Sequence, residues 1–136
     1  FKQVIGVDVS KEMIIKARGN KNTNVEYIHD NSHLQNVKHN FDFIFSLFVL
    51  QHIPIPDQIV YFNRFYDLLN KNGHLLFSMI DATEDKSIEY RDYRKDGFWI
   101  DLLSKSQIMS TLQGIGFEYV NKQSMGENTL YLFKKC

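Results

Sequence analysis

The sequence has very little of several residue types, and each shortage narrows what the protein can be. Its 136 residues include a single cysteine, Cys136. No disulfide can therefore form within the chain, which fits a reducing compartment. Sixteen basic residues balance sixteen acidic ones, so the net charge is zero. Because the broad positive footprint of a protein that neutralises many phosphates is missing, we expect no nucleic-acid partner.

Long hydrophobic runs are also missing. The longest, residues 41–50, is interrupted by Asp42 and Ser46 and is too short to span a bilayer. No signal-peptide pattern is visible, and the histidines show no metal-ligand spacing. We therefore expect a cytoplasmic protein with no membrane partner and no metal. A chain of this length is enough for one domain and too short for two.

What the sequence does contain is an alternation of strand-like and helix-like segments, typical of parallel strands joined by crossover helices. Four strands are predicted, at residues 4–7, 25–29, 41–46 and 74–79. Three helices are predicted, at residues 11–18, 57–69 and 105–113. A closing antiparallel hairpin is predicted from residues 117–123 and 129–134. The predicted fold class is therefore α/β.

Local signals refine these predictions. Ser10 can cap the first helix, and Ser104 can form a capping box with Gln107 at the start of the last one. The nearly continuous apolar run at residues 41–46 favours a strand buried on both faces. Asn72-Gly73 is expected to end the middle helix, and Gly114 with Gly116 the last one.

The most informative motif lies at the end of the first strand, where Val7 is followed by Asp8, Val9 and Ser10. A carboxylate in this place can accept two hydrogen bonds from ribose hydroxyls. In nucleotide-binding sheets it follows a glycine-rich turn by about 20 residues, but no such turn precedes Asp8 in this sequence. The alternative is a solvated loop carboxylate.

The pattern breaks at about residues 81–100, which we interpret as an insertion within a single domain spanning residues 1–136. It follows the strand at residues 74–79, at the sheet edge where ligands bind in open α/β sheets. Tyr90, Tyr93, Arg94 and Trp99 offer flat surfaces and hydrogen-bond donors, and we predict that they bind the substrate. The alternative is a solvated, alternately charged helix face.

Together these segments resemble a class I S-adenosylmethionine-dependent methyltransferase. The likeness is carried by Val7-Asp8-Val9-Ser10, by the strand that ends at Asp30, and by three further segments, residues 41–53, 68–76 and 116–118. In that family the sheet has the strand order 3-2-1-4-5-7-6, with the seventh strand antiparallel. The resemblance implies a Rossmann-like, doubly wound, mostly parallel sheet that closes in a C-terminal antiparallel hairpin. The family's first central strand and its Gly-x-Gly loop are absent from this sequence.

The resemblance also implies S-adenosylmethionine as cofactor and assigns part of its site. Asp8 resembles the carboxylate that holds the ribose hydroxyls, and Val9 the apolar residue that packs on adenine. Asp30 resembles the residue that accepts from the adenine amino group, with Asn31 offering its backbone amide. Asp-Asn-Ser is also an ordinary turn sequence, which is the alternative for Asp30.

Three residues at and after the end of the strand at 41–46 complete the implied site. Ser46 and Leu47 resemble the stretch whose backbone meets the methionine part of the cofactor. His52 follows, where the acceptor would approach, and imidazole can act as a base near neutral pH. The alternative is that His52 orders its own loop. Alignment of the nucleophile supplies much of the rate of methyl transfer, so a base is not essential.

The implied function is methyl transfer to a small polar acceptor, at oxygen or nitrogen. Two alternatives stay open: a catalytically silent methyltransferase-like interaction module, and a nicotinamide-dependent oxidoreductase. Against the second, the sequence has no Tyr-x-x-x-Lys pair, since Arg94 lies four residues after Tyr90. For the absent strand we favour truncation over two alternatives: direct pairing of its neighbours, or a strand from another chain, which predicts a homodimer through an exposed sheet edge.

Overall fold

The computed structural model describes residues 1–20, 23–80, 88–90 and 100–136. They belong to two compact units, Phe1–His39 and Asn40–Cys136. The helices are α1 (Lys11–Arg18), α2 (Ile55–Leu68) and α3 (Lys105–Ile115), and a 3₁₀ turn spans Leu50–His52. The strands are β1 (Val4–Asp8), β2 (Val25–His29), β3 (Phe41–Ser46), β4 (Leu69–Ile80), β5 (Ile88–Tyr90), β6 (Ile100–Leu102), β7 (Phe117–Met125) and β8 (Asn128–Lys135). In this described part of the chain, no helix is long and apolar enough to cross a membrane.

The first unit is a β1–α1–β2 crossover in which the two strands pair in parallel. Val4 lies opposite Val25 at one end of the pair, and Asp8 lies opposite His29 at the other. Gly6 allows close packing between the strands, because a Cβ atom there would lie 2.9 Å from the ring of Tyr27. The carboxyl ends of both strands therefore meet at one edge.

Local chemistry explains where α1 begins and ends. Ser10 is extended, and its hydroxyl accepts a hydrogen bond from the backbone N–H of Met13 at 3.3 Å. Lys16 and Arg18 lie in the last turn, where a positive charge complements the helix dipole. Arg18 also donates to the carbonyl oxygen of Tyr27 in β2 at 2.8 Å, so the end of α1 is tied to its neighbouring strand.

The second unit contains a four-stranded sheet with the order β3-β4-β8-β7. β3 pairs with β4 in parallel, and β8 runs antiparallel to both β4 and β7. Gly126 begins the two-residue turn of the β7–β8 hairpin with φ 61°, as a type II′ turn favours. β5 and β6 form a separate antiparallel pair.

Aromatic side chains from α2 and the sheet form the core of the second unit. The rings of Phe62 and Phe77 lie 5.1 Å apart, and Phe77 stacks on Tyr131 at 5.3 Å. All three side chains are fully buried. Lys135 of β8 closes the end of α2, because its ammonium group donates to the carbonyl oxygens of Tyr66 and Leu69 at 2.7 and 2.8 Å.

The strand order confirms the predicted fold class. β1 and β2 occupy the places of the family's second and third strands, and β3, β4, β8 and β7 reproduce its 4-5-7-6 order as a mixed sheet. β8 is the antiparallel strand that the resemblance implied. Among the described residues, β1 pairs with β2 alone and β3 with β4 alone, so one edge of each strand has no partner.

Three local predictions were wrong. The middle helix ends at Leu68, because Leu69 is already extended with ψ 140°, and Asn72 (φ 66°) lies inside β4 near the register shift with β3. β3 is not buried on both faces, because Phe45 is 56% exposed. Among the described strands β3 is also an edge strand. Gly114 lies within α3, and Gly116 alone, with φ 121°, ends that helix.

Candidate active site

Asp8 ends β1 with one carboxylate oxygen engaged and the other open. Its Oδ1 accepts a hydrogen bond from the backbone N–H of Ser10 at 2.7 Å. Its Oδ2 accepts none from any described residue, and the side chain is half-buried. The first bond fixes the orientation of the carboxylate, so that Oδ2 can accept from a ligand hydroxyl without a local donor having to be displaced.

Asp30 lies beside Asp8, because its backbone N–H donates to the carbonyl oxygen of Asp8 at 3.1 Å. Its side chain is only 2% exposed. Oδ1 accepts from the N–H and the hydroxyl of Ser32 at 2.6 and 2.9 Å, and from the N–H of Leu34 at 3.2 Å. Oδ2 accepts from the N–H of Asn36 at 2.9 Å. This carboxylate therefore organises the loop between β2 and β3.

These hydrogen bonds determine the charge of Asp30. Burial alone would raise the pKa of its carboxyl group, but the donors of Ser32, Asn36 and Leu34 stabilise the charged form and lower the pKa below its ordinary value of 3.8. Left-handed backbone at His33 (φ 54°) and Leu34 (φ 64°) helps the chain to curve around the carboxylate. The arrangement resembles an anion-binding nest filled by the protein's own side chain.

Val9 and Asn31 complete the first unit's candidate residues. Val9 is 63% exposed, and its carbonyl oxygen lies 3.0 Å from Nε2 of His29. Asn31 is exposed, and its backbone N–H makes no hydrogen bond with any described residue. The structure thus brings all four predicted cofactor residues of this unit together at the ends of β1 and β2.

In the second unit the candidate residues lie at the end of β3. Ser46 is the last residue of the strand, opposite Phe77 of β4, and Leu47 is partly exposed. Phe48 comes next with φ 59°, a conformation rarely adopted by a bulky residue. Its backbone N–H donates to the hydroxyl of the fully buried Ser78 at 2.7 Å, which holds the loop in this form.

His52 ends the 3₁₀ turn that comes after this loop. It is half-buried, and its Nε2 lies 3.4 Å from the amide nitrogen of Gln51. This local contact fits the alternative in which His52 orders its own turn. His52 also lies in the same connection as Ser46 and Leu47, between β3 and α2. Its predicted role as a base stays a prediction.

Of the four predicted substrate residues, the structure describes one. Tyr90 is the last residue of β5, and its backbone lies opposite Ile100 of β6. Tyr93, Arg94 and Trp99 lie outside the described residues. In the described ranges, no group of three or more His, Cys, Asp or Glu side chains could hold a metal ion.

Sequence reasoning missed several buried polar side chains in the second unit, among them Ser78, Gln58 and Asp101. Gln58 lies four residues before the buried Phe62 on α2, so helical periodicity alone places it on the buried face. Asp101 lies between apolar neighbours in β6, and Ser78 lies inside the apolar strand β4. A polar residue at an apolar position is the signal that could have identified all three.

Comparison with protein families gives a match over most of the chain. Residues 1–122 match a family model described as a methyltransferase domain. A comparison with curated protein sequences gives no match.

Solved structures share the fold at low sequence identity. An S-adenosylmethionine-dependent methyltransferase from Mesorhizobium loti is 14% identical with a TM-score of 0.76, over 98% of this chain and 81% of that one. The 1,6-didemethyltoxoflavin-N1-methyltransferase of Burkholderia thailandensis, with bound S-adenosylhomocysteine, is 16% identical with a TM-score of 0.78, over 98% and 61%. The N-methyltransferase NodS of Bradyrhizobium japonicum, in complex with S-adenosylhomocysteine, is 18% identical with a TM-score of 0.68, over 98% and 67%.

Proposed function

This chain belongs to the class I S-adenosylmethionine-dependent methyltransferases, and we propose that it methylates a small polar acceptor at nitrogen or oxygen. The observation that carries the proposal is the half-open carboxylate of Asp8 at the end of β1. S-adenosylmethionine supplies an electrophilic methyl group when bound. The residues described above bind and orient the two reactants, which is the main requirement of such a transfer.

Asp8 fits the ribose of the cofactor. A vicinal diol offers two O–H donors, and a carboxylate accepts both most strongly when it is already oriented. The bond from Ser10 to Oδ1 provides that orientation, and Oδ2 is open. Val9, whose side chain is exposed beside it, offers an apolar surface on which adenine can pack.

Asp30 supports the adenine site in one of two ways. As a direct ligand it would accept from the adenine amino group, but its carboxylate is buried and already holds four hydrogen bonds. As a positioning residue it would hold the loop that presents the unbonded N–H of Asn31, which can donate to an adenine ring nitrogen. The contacts favour the second role.

Ser46 and Leu47 are proposed to meet the methionine part of the cofactor through their backbone, and His52 to assist the acceptor. Tyr90, Tyr93, Arg94 and Trp99 are proposed to contact the acceptor itself. By name the structural relatives include two N-methyltransferases and an O-methyltransferase family protein, so both nitrogen and oxygen stay in the proposal. Their identity to this chain is below 20%, so their substrates are not transferred to it.

Calorimetric titration with S-adenosylhomocysteine tests the proposal. We expect the chain to bind, Asp8→Ala to weaken binding about tenfold or more, and Glu26→Ala to leave it unchanged. Glu26 is a matched control, since it is an exposed carboxylate in the neighbouring strand β2. Absence of heat from the folded chain would contradict cofactor binding. Binding of NAD in its place, lost in Asp8→Ala, would favour the oxidoreductase.

β3 favours a second candidate function, that of an interaction module. One edge of this strand is unpaired among the described residues. Phe45, a residue of the same strand, has an exposed side chain. Unpaired edges recruit further strands, including those of a second copy. Sedimentation analysis at rising concentration tests this: a dimer that Phe45→Lys disrupts would support it, and a monomer throughout would count against it.

A further inference from the structure

The backbone of Phe48 is held in a conformation that its residue type rarely adopts. Four non-glycine residues in the described ranges have left-handed backbone, and three of them have a local explanation. His33 and Leu34 curve their loop around the carboxylate of Asp30, and Asn72 belongs to a residue type that tolerates the conformation. Phe48, with φ 59°, has neither explanation, and bulky residues in such conformations are concentrated at ligand sites.

A buried hydroxyl group fixes this conformation. Ser78 lies inside the apolar strand β4 and is fully buried. Its Oγ accepts a hydrogen bond from the backbone N–H of Phe48 at 2.7 Å. The residue before it, Phe77, lies opposite Ser46 at the carboxyl end of β3. The contact therefore fixes the path of the chain as it leaves the sheet, at the edge where ligands bind in open α/β sheets.

The segment held in this way offers an apolar surface. The side chains of Leu47, Phe48 and Val49 are exposed one after another. Residues 46–50 contain no charged side chain, and Phe48 is the one aromatic residue among them. An apolar part of a ligand fits this segment, and a flat aromatic part makes the most favourable contact with the ring of Phe48.

We propose that Phe48 is a specificity-determining residue whose ring stacks on an aromatic ring of the methyl acceptor. Ser78 is the positioning residue that holds it there. Two aromatic rings in an offset or edge-to-face arrangement attract each other beyond the effect of apolar burial. The inference rests on the proposed methyl transfer and narrows its acceptors to aromatic molecules that carry a hydroxyl or amino group.

The cofactor is the competing partner of this ring. Leu47, directly before Phe48, is proposed to meet the methionine part of S-adenosylmethionine through its backbone. The aliphatic chain of methionine has no aromatic face, so a site built for it would not distinguish a flat ring from a puckered one. A preference for flat rings therefore separates the acceptor from the cofactor as the partner of Phe48.

The test is a nuclear magnetic resonance titration of the full chain, labelled with ¹³C in the phenylalanine rings and ¹⁵N in the backbone. The probe is 2-naphthol, and the matched control is decahydro-2-naphthol, which has the same carbon skeleton and hydroxyl group but no flat ring. We expect 2-naphthol to shift the ring and amide signals of Phe48 saturably, and to bind about threefold to tenfold more tightly than the control. An unresponsive Phe48, or equal affinities of the two compounds, would overturn the proposal.

Phe48→Leu keeps an apolar side chain and removes the flat ring. It is expected to abolish the preference for 2-naphthol and to leave the affinity for the control within about twofold. Phe45→Leu, at an exposed phenylalanine of β3, is the matched variant and should keep the preference. An equal loss in both variants would assign the preference to exposed aromatic surface in general and contradict the role of Phe48. The two titrations of the wild-type chain decide the question even if a variant does not fold.

Ser78→Ala keeps the ring of Phe48 and removes the hydroxyl group that holds its backbone. We expect faster hydrogen exchange at the amide of Phe48 and about threefold weaker binding of 2-naphthol. Unchanged affinity for 2-naphthol would overturn the positioning role of Ser78.

Calorimetric titration with S-adenosylhomocysteine on the same samples separates this inference from the proposed function. Cofactor binding without a preference for 2-naphthol would overturn the aromatic acceptor and leave methyl transfer standing. A preference for 2-naphthol in a chain that binds no cofactor would support the aromatic site and contradict the proposed function. A large loss of cofactor affinity in Phe48→Leu would assign the ring to the cofactor and overturn the inference.

Discussion

Asp8 and Asp30 end two neighbouring parallel strands of the first unit, and the chain uses their carboxylates in opposite ways. Asp8 accepts one backbone hydrogen bond and keeps an oxygen open, whereas Asp30 accepts four and is buried. The difference comes from the segment after each strand. After β1 the chain enters α1 within two residues, and Ser10 uses its own hydroxyl to cap that helix. After β2 a curved loop directs three N–H groups at one carboxylate.

The two aspartates indicate that the role of a carboxylate at a strand end depends on the hydrogen-bond donors of the next few residues. Where the local donors are few, the carboxylate is available to a ligand; where they converge on it, the carboxylate is a structural anchor. Both aspartates lie at the end of an apolar strand, so the distinction lies in the loops alone. Four measurements test this difference.

The largest expected effect is on stability. Asp30→Ala leaves the N–H groups of Ser32, Leu34 and Asn36 without their acceptor, and we expect the free energy of unfolding to fall by about 3 kcal/mol. Asp8→Ala removes one bond and is expected to lower it by about 1 kcal/mol. Urea unfolding followed by circular dichroism measures both. Equal losses in the two variants would break the comparison.

The second effect is on cofactor affinity, and here the substitution of Asp8 is expected to have the larger effect. Asp8→Asn removes the charge that faces the ribose, and we expect S-adenosylhomocysteine to bind about tenfold more weakly, which is about 1.4 kcal/mol. Asp30→Asn keeps an oxygen acceptor for the loop, and we expect affinity to change less than about threefold. Calorimetry on folded samples measures both. A larger loss from Asp30→Asn would make Asp30 a direct adenine ligand.

The third effect is on acid stability. The pKa of Asp30 is lower in the folded chain than its ordinary 3.8. The unfolded chain therefore takes up the proton first as the pH falls, and the stability from ionised Asp30 is complete above about pH 4 and lost as the pH drops through the folded pKa. Asp30→Asn is expected to show a shallower loss of unfolding free energy as the pH falls below about 4. An identical slope in both proteins would count against a depressed pKa.

The smallest expected effect is on stability in the second unit, where a charged side chain also binds backbone groups. Lys135 donates to two carbonyl oxygens at the end of α2 and lies 4.5 Å from the ring centre of Tyr66. Lys135→Met keeps most of the aliphatic stem and is expected to lower the free energy of unfolding by about 1 kcal/mol. Lys122→Met, at an exposed position of β7, is the control and should change little. No difference between the two would show that the contact adds nothing to stability.

Much of the fold can be predicted from periodicity in the sequence. The apolar segments of β2 and β3 and the capping residues Ser10 and Ser104 located their elements correctly, because these signals are local. The end of α2 was missed, since Asn72 adopts its left-handed conformation inside a strand bulge and not at a helix end. The burial of β3 was overestimated because an apolar run does not show whether another element covers each face of the sheet.

The candidate site was less predictable than the fold. Sequence placed Asp8 and Asp30 at strand ends correctly but could not count the hydrogen bonds that each would receive. That number depends on the curvature of the loop, to which the left-handed backbone of His33 and Leu34 contributes; this conformation is rare for a leucine. Gln58 and Asp101 were missed because apolar periodicity identifies a core face but makes no prediction for a polar residue that lies on it.

The choice of phenylalanine at position 48 is not explained by folding stability. A left-handed backbone costs a bulky residue roughly 1–2 kcal/mol that glycine avoids, and the ring is 51% exposed and recovers only part of its burial energy. A sequence chosen for stability alone would place glycine here. At position 48 the chain therefore has an exposed aromatic side chain at a cost in stability. Phe48→Gly would keep the path of the loop and remove the aromatic ring.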